Sequence, residues 1–403
     1  MKNACILPWI SLETTPQGDV RPCCLSTTDI PDVNLTTNTL AEAQRHPYMQ
    51  EMRQVFSEDR RPGNCERCWI EEDAGKKSKR QHMLDKFEHV PVDYTSTEPA
   101  DLIFLDLKLG NICNLKCRIC GSWSSSRWAQ EEIAQYGAGH EASEWLYQGS
   151  WPRRAPDFWK EMDQLLPQLR YFEFTGGEPF LIRQHFELLE RAVSAGYAQD
   201  IDIHYNTNGT QFPDQHTLWR EFKRVQIAFS IDNTGARFEY ERAGADWELV
   251  NQNIRAFQQL QQQGYPLDLQ VCVTWNIQNV LDMRDFLTWA ADAGMTDIHF
   301  NLMHDPEEFS LTHTPQGAVN AIMLELQKAQ VQFPAYADQI ASIKTVAMAA
   351  NHPEPWPAGP LLERLYRVDQ QRGVRFSDSH PRMAELIGYD PGRLIGWTRG
   401  HGI

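Results

Sequence analysis

The chain has 403 residues, of which 41% are apolar and 23% are charged, and its formal net charge at pH 7 is −16. These values are typical of a soluble globular protein, and the negative charge makes duplex nucleic acid an unfavourable partner. No apolar run has the length of a secretion signal or a membrane span. We therefore expect a cytoplasmic protein without membrane contact, whose nine cysteines are reduced and available as metal ligands instead of being paired in disulfides.

The first set of cysteines lies near the amino terminus. Twelve residues separate Cys5 from Gly18 and four more separate Gly18 from Cys23, while Cys65 and Cys68 form a C-x2-C pair. Four thiolates can hold an iron–sulfur cluster, and they fit a zinc ion equally well. The spacing of these residues leaves both kinds of metal site open.

The residues around this set have simple local patterns. Residues 9–13 predict a strand, residues 16–19 a turn and residues 20–21 the returning strand of a hairpin. Residues 37–56 predict a helix in two pieces, and the basic run at residues 76–80 predicts a solvated helix face. Residues 88–100 have little periodicity and read as a linker.

The second set of cysteines follows a predicted strand. Residues 102–109 alternate between apolar and polar side chains, and Gly110 and Asn111 break the strand. Cys113, Cys117 and Cys120 come next with C-x3-C-x2-C spacing. Three thiolates on one loop can hold three irons of a [4Fe–4S] cluster and leave the fourth iron with an open position. Structural zinc sites usually join two C-x2-C pairs, so this spacing fits zinc poorly.

Strands and amphipathic helices alternate through the central part of the chain, which indicates a parallel sheet with crossover helices. The fold class is therefore α/β, and its six units predict a partial (β/α)6 barrel. The apolar face of each strand should be covered by helices and the polar face should line the interior. The predicted strands are 102–109, 170–175, 201–206, 224–231, 267–275 and 297–302; the predicted helices are 122–136, 155–166, 181–195, 215–222, 246–263 and 280–293.

Polar segments end these strands on the side where β/α barrels carry their active sites. Candidate binding residues at these ends are Gly176, Gly177, Glu178, Pro179, Asn206, Asn208, Ser230, Asp232, Asn276 and Asn301. The two glycines allow close approach of the backbone to a ligand, and Glu178 supplies a charge for an ammonium group. Cys272 faces the predicted interior and is a candidate hydrogen donor, although a buried cysteine is more often a small apolar residue.

The loop with Cys113, Cys117 and Cys120, followed by Gly176-Gly177-Glu178-Pro179, resembles the radical S-adenosylmethionine (SAM) superfamily. The resemblance implies a [4Fe–4S] cluster on the three cysteines and SAM as its ligand. Gly176 to Pro179 would then bind the methionine amino group. The contacts to ribose, carboxylate and adenine would come from Asn206, Asn208, Ser230, Asp232, Asn276 and Asn301. Ile119 stands where the family commonly has an aromatic residue.

The amino-terminal set resembles the SPASM and twitch modules of radical SAM enzymes, which hold an auxiliary [4Fe–4S] cluster. The resemblance implies ligand roles for Cys5, Cys23, Cys65 and Cys68, with Cys23 preferred over Cys24 because it satisfies the glycine spacing. In better-known members this module follows the catalytic core, whereas here it precedes it. The predicted domains are 1–98 for this module and its linker, 99–311 for the core and 312–403 for a helical extension. That extension has helices near 315–332, 335–350 and 359–371 and a proline-rich stretch at 353–357.

The resemblance implies a definite chemistry. Reductive cleavage of SAM gives a 5′-deoxyadenosyl radical that abstracts hydrogen from a substrate, with flavodoxin or ferredoxin as the reductant. We expect a small polar substrate, namely a metabolite, nucleotide or sugar, that is oxidised, epimerised with Cys272 as donor, or rearranged. The alternatives are a peptide-modifying enzyme of the same superfamily and a non-catalytic metal-binding interaction protein.

Overall fold

The computed structural model describes residues 1–350 except 74 and 76, residues 358–390 and residue 392. The proline-rich stretch predicted at 353–357 and one residue of the basic run, Lys76, lie outside the described residues. Within the described residues, no helix combines the length and the apolar character needed to cross a membrane.

The centre of the fold is an eight-stranded sheet with the order β10-β9-β7-β6-β5-β3-β1-β2. The six strands predicted from the alternation are β3, β5, β6, β7, β9 and β10, and each pairs in parallel with its neighbours. The α/β class is thereby confirmed. The strands are β1 Ser11–Thr14, β2 Val20–Arg21, β3 Phe104–Leu107, β4 Lys116–Cys117, β5 Tyr171–Phe174, β6 Asp202–Thr207, β7 Arg224–Ser230, β8 Arg242–Ala243, β9 Leu267–Trp275 and β10 Ile298–Leu302.

The amino-terminal module is part of this sheet. Strand β1 adds in parallel to β3, with Ser11 opposite Phe104 and Glu13 opposite Asp106, and β2 pairs antiparallel with β1. A hydrophobic cluster joins the module to the core, because Trp9 and Phe87 pack in the same cluster as Phe104. The module therefore continues the sheet of the core, and its polar side chains can reach the interior.

Helices cover the apolar face of the sheet. Buried side chains of α9 and α11 belong to the same core cluster as the apolar residues of β5, β6 and β7. The helices are α1 Leu7–Ile10, α2 Leu40–Gln44, α3 Pro47–Ser57, α4 Glu66–Asp73, α5 Lys79–Lys86, α6 Ser126–Tyr136, α7 Ala142–Gln148, α8 Pro156–Leu165, α9 Arg183–Ser194, α10 Gly235–Glu241, α11 Trp247–Gln262, α12 Met283–Asp292, α13 Gln316–Gln332, α14 Ala337–Ala349, α15 Gly359–Arg372, α16 Phe376–Ser379 and α17 Pro381–Ile387.

Three sequence-based expectations are corrected. Residues 9 and 10 do not belong to the first hairpin strand, because Pro8 lies in the first turn of α1 and the strand begins only at Ser11. The predicted helix 215–222 is a 3₁₀ helix over Asp214–Glu221. The basic run does not form a solvated face, since Arg80 is 6% exposed and the Lys79 side chain 17% exposed.

Candidate functional site

The cluster loop, residues 110–120, packs directly against the turn that contains Gly176 and Gly177. Gly177 has a φ of +59°, and a Cβ there would lie 2.4 Å from the Ile112 carbonyl oxygen. The Glu178 backbone N–H donates to that same oxygen at 2.7 Å. Only glycine permits this approach, so the turn and the loop form one continuous backbone surface beside Cys113.

Glu178 holds this turn to the next strand end. Its carboxylate is fully buried and accepts from Thr207 Oγ1 at 2.8 Å, from the Asn208 N–H at 2.7 Å and from the Phe180 N–H at 3.1 Å. Burial raises the pKa of Glu178 to about 7 despite these donors. The structure thus gives Glu178 a positioning role, and its contact with an ammonium group stays a prediction.

Asn208 connects that strand end to the cluster loop. Its Nδ2 donates to Asn114 Oδ1 at 3.0 Å and lies 4.0 Å from Cys113 Sγ, while its Oδ1 accepts from Thr210. Asn206 and Ser230 are half-buried on the polar face of their strands. Asn276 lies in a local turn, where its Nδ2 donates to the Thr274 carbonyl oxygen and its Oδ1 accepts from the Gln278 N–H. The predicted SAM contacts therefore differ in how many of their hydrogen-bonding groups are already bound to other protein groups.

Arg242 is a site residue that the sequence did not indicate. Strand β8 pairs antiparallel with β4, which brings Arg242 opposite Cys117, and Arg242 Nη1 lies 3.8 Å from Cys117 Sγ. The guanidinium forms a buried ion pair with Asp232 at 2.6 Å, and the other Asp232 oxygen accepts from the Thr274 N–H. Asp232, predicted to contact SAM, thus holds Arg242 beside the sulfur atoms.

The carboxyl-terminal extension also reaches the cluster loop. Arg364 Nη2 on α15 donates to the carbonyl oxygens of Arg118 at 2.9 Å and Cys120 at 3.1 Å, and Arg372 Nη1 donates to that of Lys116 at 2.9 Å. Arg118 forms an ion pair with the buried Asp369 at 2.6 Å. We call Arg364, Asp369 and Arg372 the α15 clamp. Backbone groups of the loop are thereby fixed from outside the sheet.

The four predicted auxiliary ligands lie around one cavity. Cys5, Cys23, Cys65 and Cys68 line a space with an empty volume of about 330 Å³, together with Leu7, Leu25, Phe56, Lys79 and Arg80. Burial raises the pKa of all four thiols above their ordinary range. A bound metal centre supplies the positive charge that buried thiolates need. Mostly apolar walls and four sulfur donors thus fit an iron–sulfur cluster.

Cys24 does not line the cavity that the four predicted auxiliary ligands surround, and it faces a second cavity instead. Its Sγ lies 2.8 Å from Lys79 Nζ, and it lines this second, narrow cavity with Glu13, Lys79 and Asp106. Cys23 and Lys79 border both cavities. This geometry supports Cys23 as the auxiliary ligand, and it turns Cys24 toward the interior of the core.

The residues present fit two iron–sulfur clusters by their donor chemistry. The loop offers three thiols, and burial raises the pKa of Cys113 to about 12, so a metal is needed to generate the thiolate there. Among the described residues, no three His, Cys, Asp or Glu side chains converge on the position of a single metal ion. On β9, Cys272 is half-buried and Asn301 Nδ2 donates to its sulfur at 3.1 Å.

Comparisons with known proteins agree with this arrangement. The sequence profile of the Radical SAM superfamily matches residues 107–287, and that of the SPASM iron–sulfur cluster-binding domain matches residues 5–69. No curated protein sequence matches the chain.

Several solved structures resemble the chain at low identity. Native anSMEcpe with bound AdoMet has 15% identity and a TM-score of 0.40, over 60% of this chain and 62% of that one. Native anSMEcpe with bound AdoMet and Cp18Cys peptide has 15% identity and a TM-score of 0.39, over 60% and 61%. Streptococcus suis SuiB bound to precursor peptide SuiA has 11% identity and a TM-score of 0.34, over 58% and 46%. The match spans less than two thirds of each of these chains, and likenesses at this level do not identify a substrate.

Proposed function

Since this chain belongs to the radical SAM superfamily and carries a SPASM domain ahead of its core, we propose that it is an oxidoreductase. Its cofactors are SAM, a [4Fe–4S] cluster on Cys113, Cys117 and Cys120, and an auxiliary iron–sulfur cluster. The proposed reaction removes two hydrogen atoms from a polar substrate in the interior of the core. The product carries a new double bond or a new crosslink.

One observation carries the choice of oxidation over a redox-neutral outcome. The auxiliary cavity and the second cavity have Cys23 and Lys79 in common, so the four-cysteine site borders the space where a substrate would bind. An electron acceptor in that position has a use only when the substrate gives up an electron. A rearrangement or an epimerisation ends with the return of a hydrogen atom to the product radical and needs no neighbouring electron acceptor.

The cofactors supply the difficult chemistry. When bound, the loop cluster supplies the electron that cleaves SAM to a 5′-deoxyadenosyl radical, and the auxiliary cluster supplies an acceptor for the substrate's second electron. The chain's own residues orient and enclose the reactants. Gly176 and Gly177 let the backbone approach the cofactor, Glu178 fixes that turn, and Arg242 places a positive charge beside Cys117.

The substrate class is part of the proposal. The interior is polar, with Glu173 and His204 on adjacent strands, which suits a small polar molecule or a polar peptide side chain. Two of the three solved structures named above hold a peptide. The test below includes both a peptide and a small metabolite. The described residues of 1–98 form short helices and one hairpin, not a separate peptide-binding winged helix.

The test uses anaerobically reconstituted protein with dithionite and SAM. We expect formation of 5′-deoxyadenosine, and we expect its rate to rise with either the small-molecule or the peptide fraction of an anaerobic extract. The fraction that stimulates the rate should contain a product lighter by two hydrogen atoms. Absence of 5′-deoxyadenosine in all conditions would contradict a catalytic function and favour a metal-binding interaction protein.

A second candidate function is epimerisation, favoured by the position of Cys272. Burial raises the pKa of this thiol to about 12, so the sulfur keeps the hydrogen that a donor must transfer. Transfer of that hydrogen atom leaves a sulfur radical on Cys272, which one electron from the auxiliary cluster and one proton would return to the thiol. The product would then have unchanged mass and would carry one hydrogen from solvent. A Cys272→Ala variant should then form 5′-deoxyadenosine but lose solvent incorporation, whereas an oxidation should be unaffected by it.

A further inference from the structure

Five charged side chains meet where the amino-terminal module joins the core. Glu13 comes from β1, Asp106 from β3 and Glu173 from β5, while Lys108 follows β3 and Lys79 begins α5. We call these five residues the junction cluster. Lys108 Nζ pairs with Glu13 Oε1 and lies 3.3 Å from Asp106 Oδ1, and Lys79 Nζ lies 3.3 Å from Glu173 Oε2.

Two carboxylate oxygens in this cluster accept no hydrogen bond from any residue that the structure describes. These are Glu13 Oε2 and Asp106 Oδ2, on residues that are only 2% and 3% exposed. Buried polar atoms are almost always paired, because the loss of hydration is otherwise uncompensated. Three carboxylates also outnumber the two ammonium groups, and His204, the neighbouring histidine, lies opposite Glu173 and not beside the two unpaired oxygens. The pair Glu13 and Asp106 therefore shares a single ammonium group, that of Lys108.

The pKa values of two neighbouring carboxyls reflect this shortage. Burial raises the pKa of Asp106 to about 7, and the ammonium of Lys108 does not restore it. Glu173 is buried as well, yet Lys79 and His204 lower its pKa to about 2. Positive charge is therefore ample at Glu173 and short at Asp106, although the two residues are direct neighbours in the sheet.

The unpaired oxygens lie next to the predicted SAM site. Glu13 and Asp106 line the second cavity with Cys24 and Lys79. Lys108, which bridges the two carboxylates, packs on the glycine turn so closely that a Cβ on Gly176 would lie 2.8 Å from Lys108 Cβ. A group bound at Glu13 and Asp106 would thus be held between the cofactor turn and the auxiliary cavity.

We propose that Glu13 and Asp106 form a subsite for a cationic group of the substrate, an ammonium or a guanidinium. Such a group donates hydrogen bonds to both unpaired oxygens and supplies the missing charge. The same chemistry can come from a lysine or arginine side chain of a peptide or from a small free amine. The inference deepens the proposed function, because it specifies the substrate of the same cavity.

The test measures binding of defined probes to the reconstituted holoenzyme with SAM, by anaerobic calorimetry. The peptide-like probes are Nα-acetyl-lysine N-methylamide and Nα-acetyl-arginine N-methylamide, and the free amine is n-butylamine. Nα-acetyl-norleucine N-methylamide is the neutral control of similar shape. We expect at least one cationic probe to bind about tenfold more tightly than the neutral control, the usual size of a charged hydrogen bond. Preference for the acetylated probes over n-butylamine would indicate a peptide, and the reverse a small amine.

Matched variants locate the subsite. Glu13→Gln and Asp106→Asn should each weaken the cationic probe about tenfold and leave the neutral control unchanged. Lys108→Met removes the ammonium group that already pairs with both carboxylates, so the cationic probe should bind more tightly. Glu88→Gln changes an exposed carboxylate of the same module and should have no effect. The SAM-induced change in the spectrum of the loop cluster reports on the fold of each variant.

Three results would overturn the proposal. They are the absence of saturable binding by any cationic probe, equal affinity for the neutral control, and unchanged affinity in both carboxylate variants. Weaker binding in Lys108→Met would also contradict it. Because these are equilibrium measurements, a protein that binds cations but forms no 5′-deoxyadenosine would contradict the proposed function and leave this subsite standing.

Discussion

The two cysteine sets lie in contrasting surroundings. The loop set is surrounded by cationic side chains: Arg242 approaches a sulfur, and Arg364 and Arg372 bind the loop's carbonyl oxygens. The auxiliary set lines a cavity whose other walls are Leu7, Leu25 and Phe56 together with two cationic residues, Lys79 and Arg80. Cationic groups favour addition of an electron to a nearby metal centre, and hydrogen bonds hold a three-cysteine loop in place. With four protein ligands, the auxiliary centre does not depend on such contacts to its backbone. The contrast agrees with our proposal of a catalytic centre at the loop and an electron acceptor in the module.

The largest expected effect comes from removing a loop cysteine. Cys117→Ala should abolish formation of 5′-deoxyadenosine and one of the two iron–sulfur signals, because the centre that binds SAM is lost. Cys65→Ala should remove the other signal and leave SAM cleavage without substrate intact. Iron analysis and product chromatography measure both. Equal loss of SAM cleavage in the two variants would contradict the assignment of SAM cleavage to the loop cysteines alone.

The next effect distinguishes two adjacent cysteines. Cys23→Ala should lose the auxiliary cluster, whereas Cys24→Ala should retain it, because Cys24 faces Lys79 and the second cavity. The readout is iron content and the absorbance of the reconstituted protein. Retention of the auxiliary cluster in Cys23→Ala together with its loss in Cys24→Ala would reverse the assignment.

A smaller effect is expected at Arg242. Removing its charge in Arg242→Met should lower the reduction potential of the loop cluster by an amount on the order of tens of millivolts, since a buried cation stabilises the reduced state. Arg242→Lys keeps the charge and should restore most of the potential. Arg183→Gln, at an exposed residue, is the control. The measurement is an EPR-monitored redox titration, and an unchanged potential in Arg242→Met would contradict the electrostatic role.

The smallest effect tests the α15 clamp. Arg364→Ala and Arg372→Ala each remove charged hydrogen bonds to loop carbonyls and should speed loss of loop iron to a chelator roughly tenfold. Arg367→Ala on the exposed face of the same helix is the matched control. The auxiliary iron should be released at its original rate in all three variants. If loop iron and auxiliary iron were both released faster by the same factor, the variants would be generally destabilised and the clamp would be contradicted.

Local sequence patterns predicted the core strands closely. All six lie within two residues of the expected bounds, because period-two alternation of buried and polar side chains depends only on neighbouring residues. The first strand of the module's hairpin begins two residues after its predicted start, because Pro8 lies in a helical turn where the alternation suggested a strand.

Long-range features could not be predicted from local patterns. Arg242 reaches Cys117 only because a two-residue strand pairs across a separation of 125 positions. The α15 clamp likewise joins Arg364 to Cys120 across 244 positions. The basic run looked solvated because nothing local indicates that β1 joins β3 and brings Lys79 against Glu173. The ligand and SAM-contact assignments themselves stay predictions.

The most direct measurement is EPR spectroscopy of the anaerobically reconstituted, dithionite-reduced protein with and without SAM. The account predicts signals from two clusters, of which SAM changes only the one that Cys117→Ala removes. A protein that holds zinc at the loop cysteines, or whose loop signal is the same with and without SAM, would contradict it.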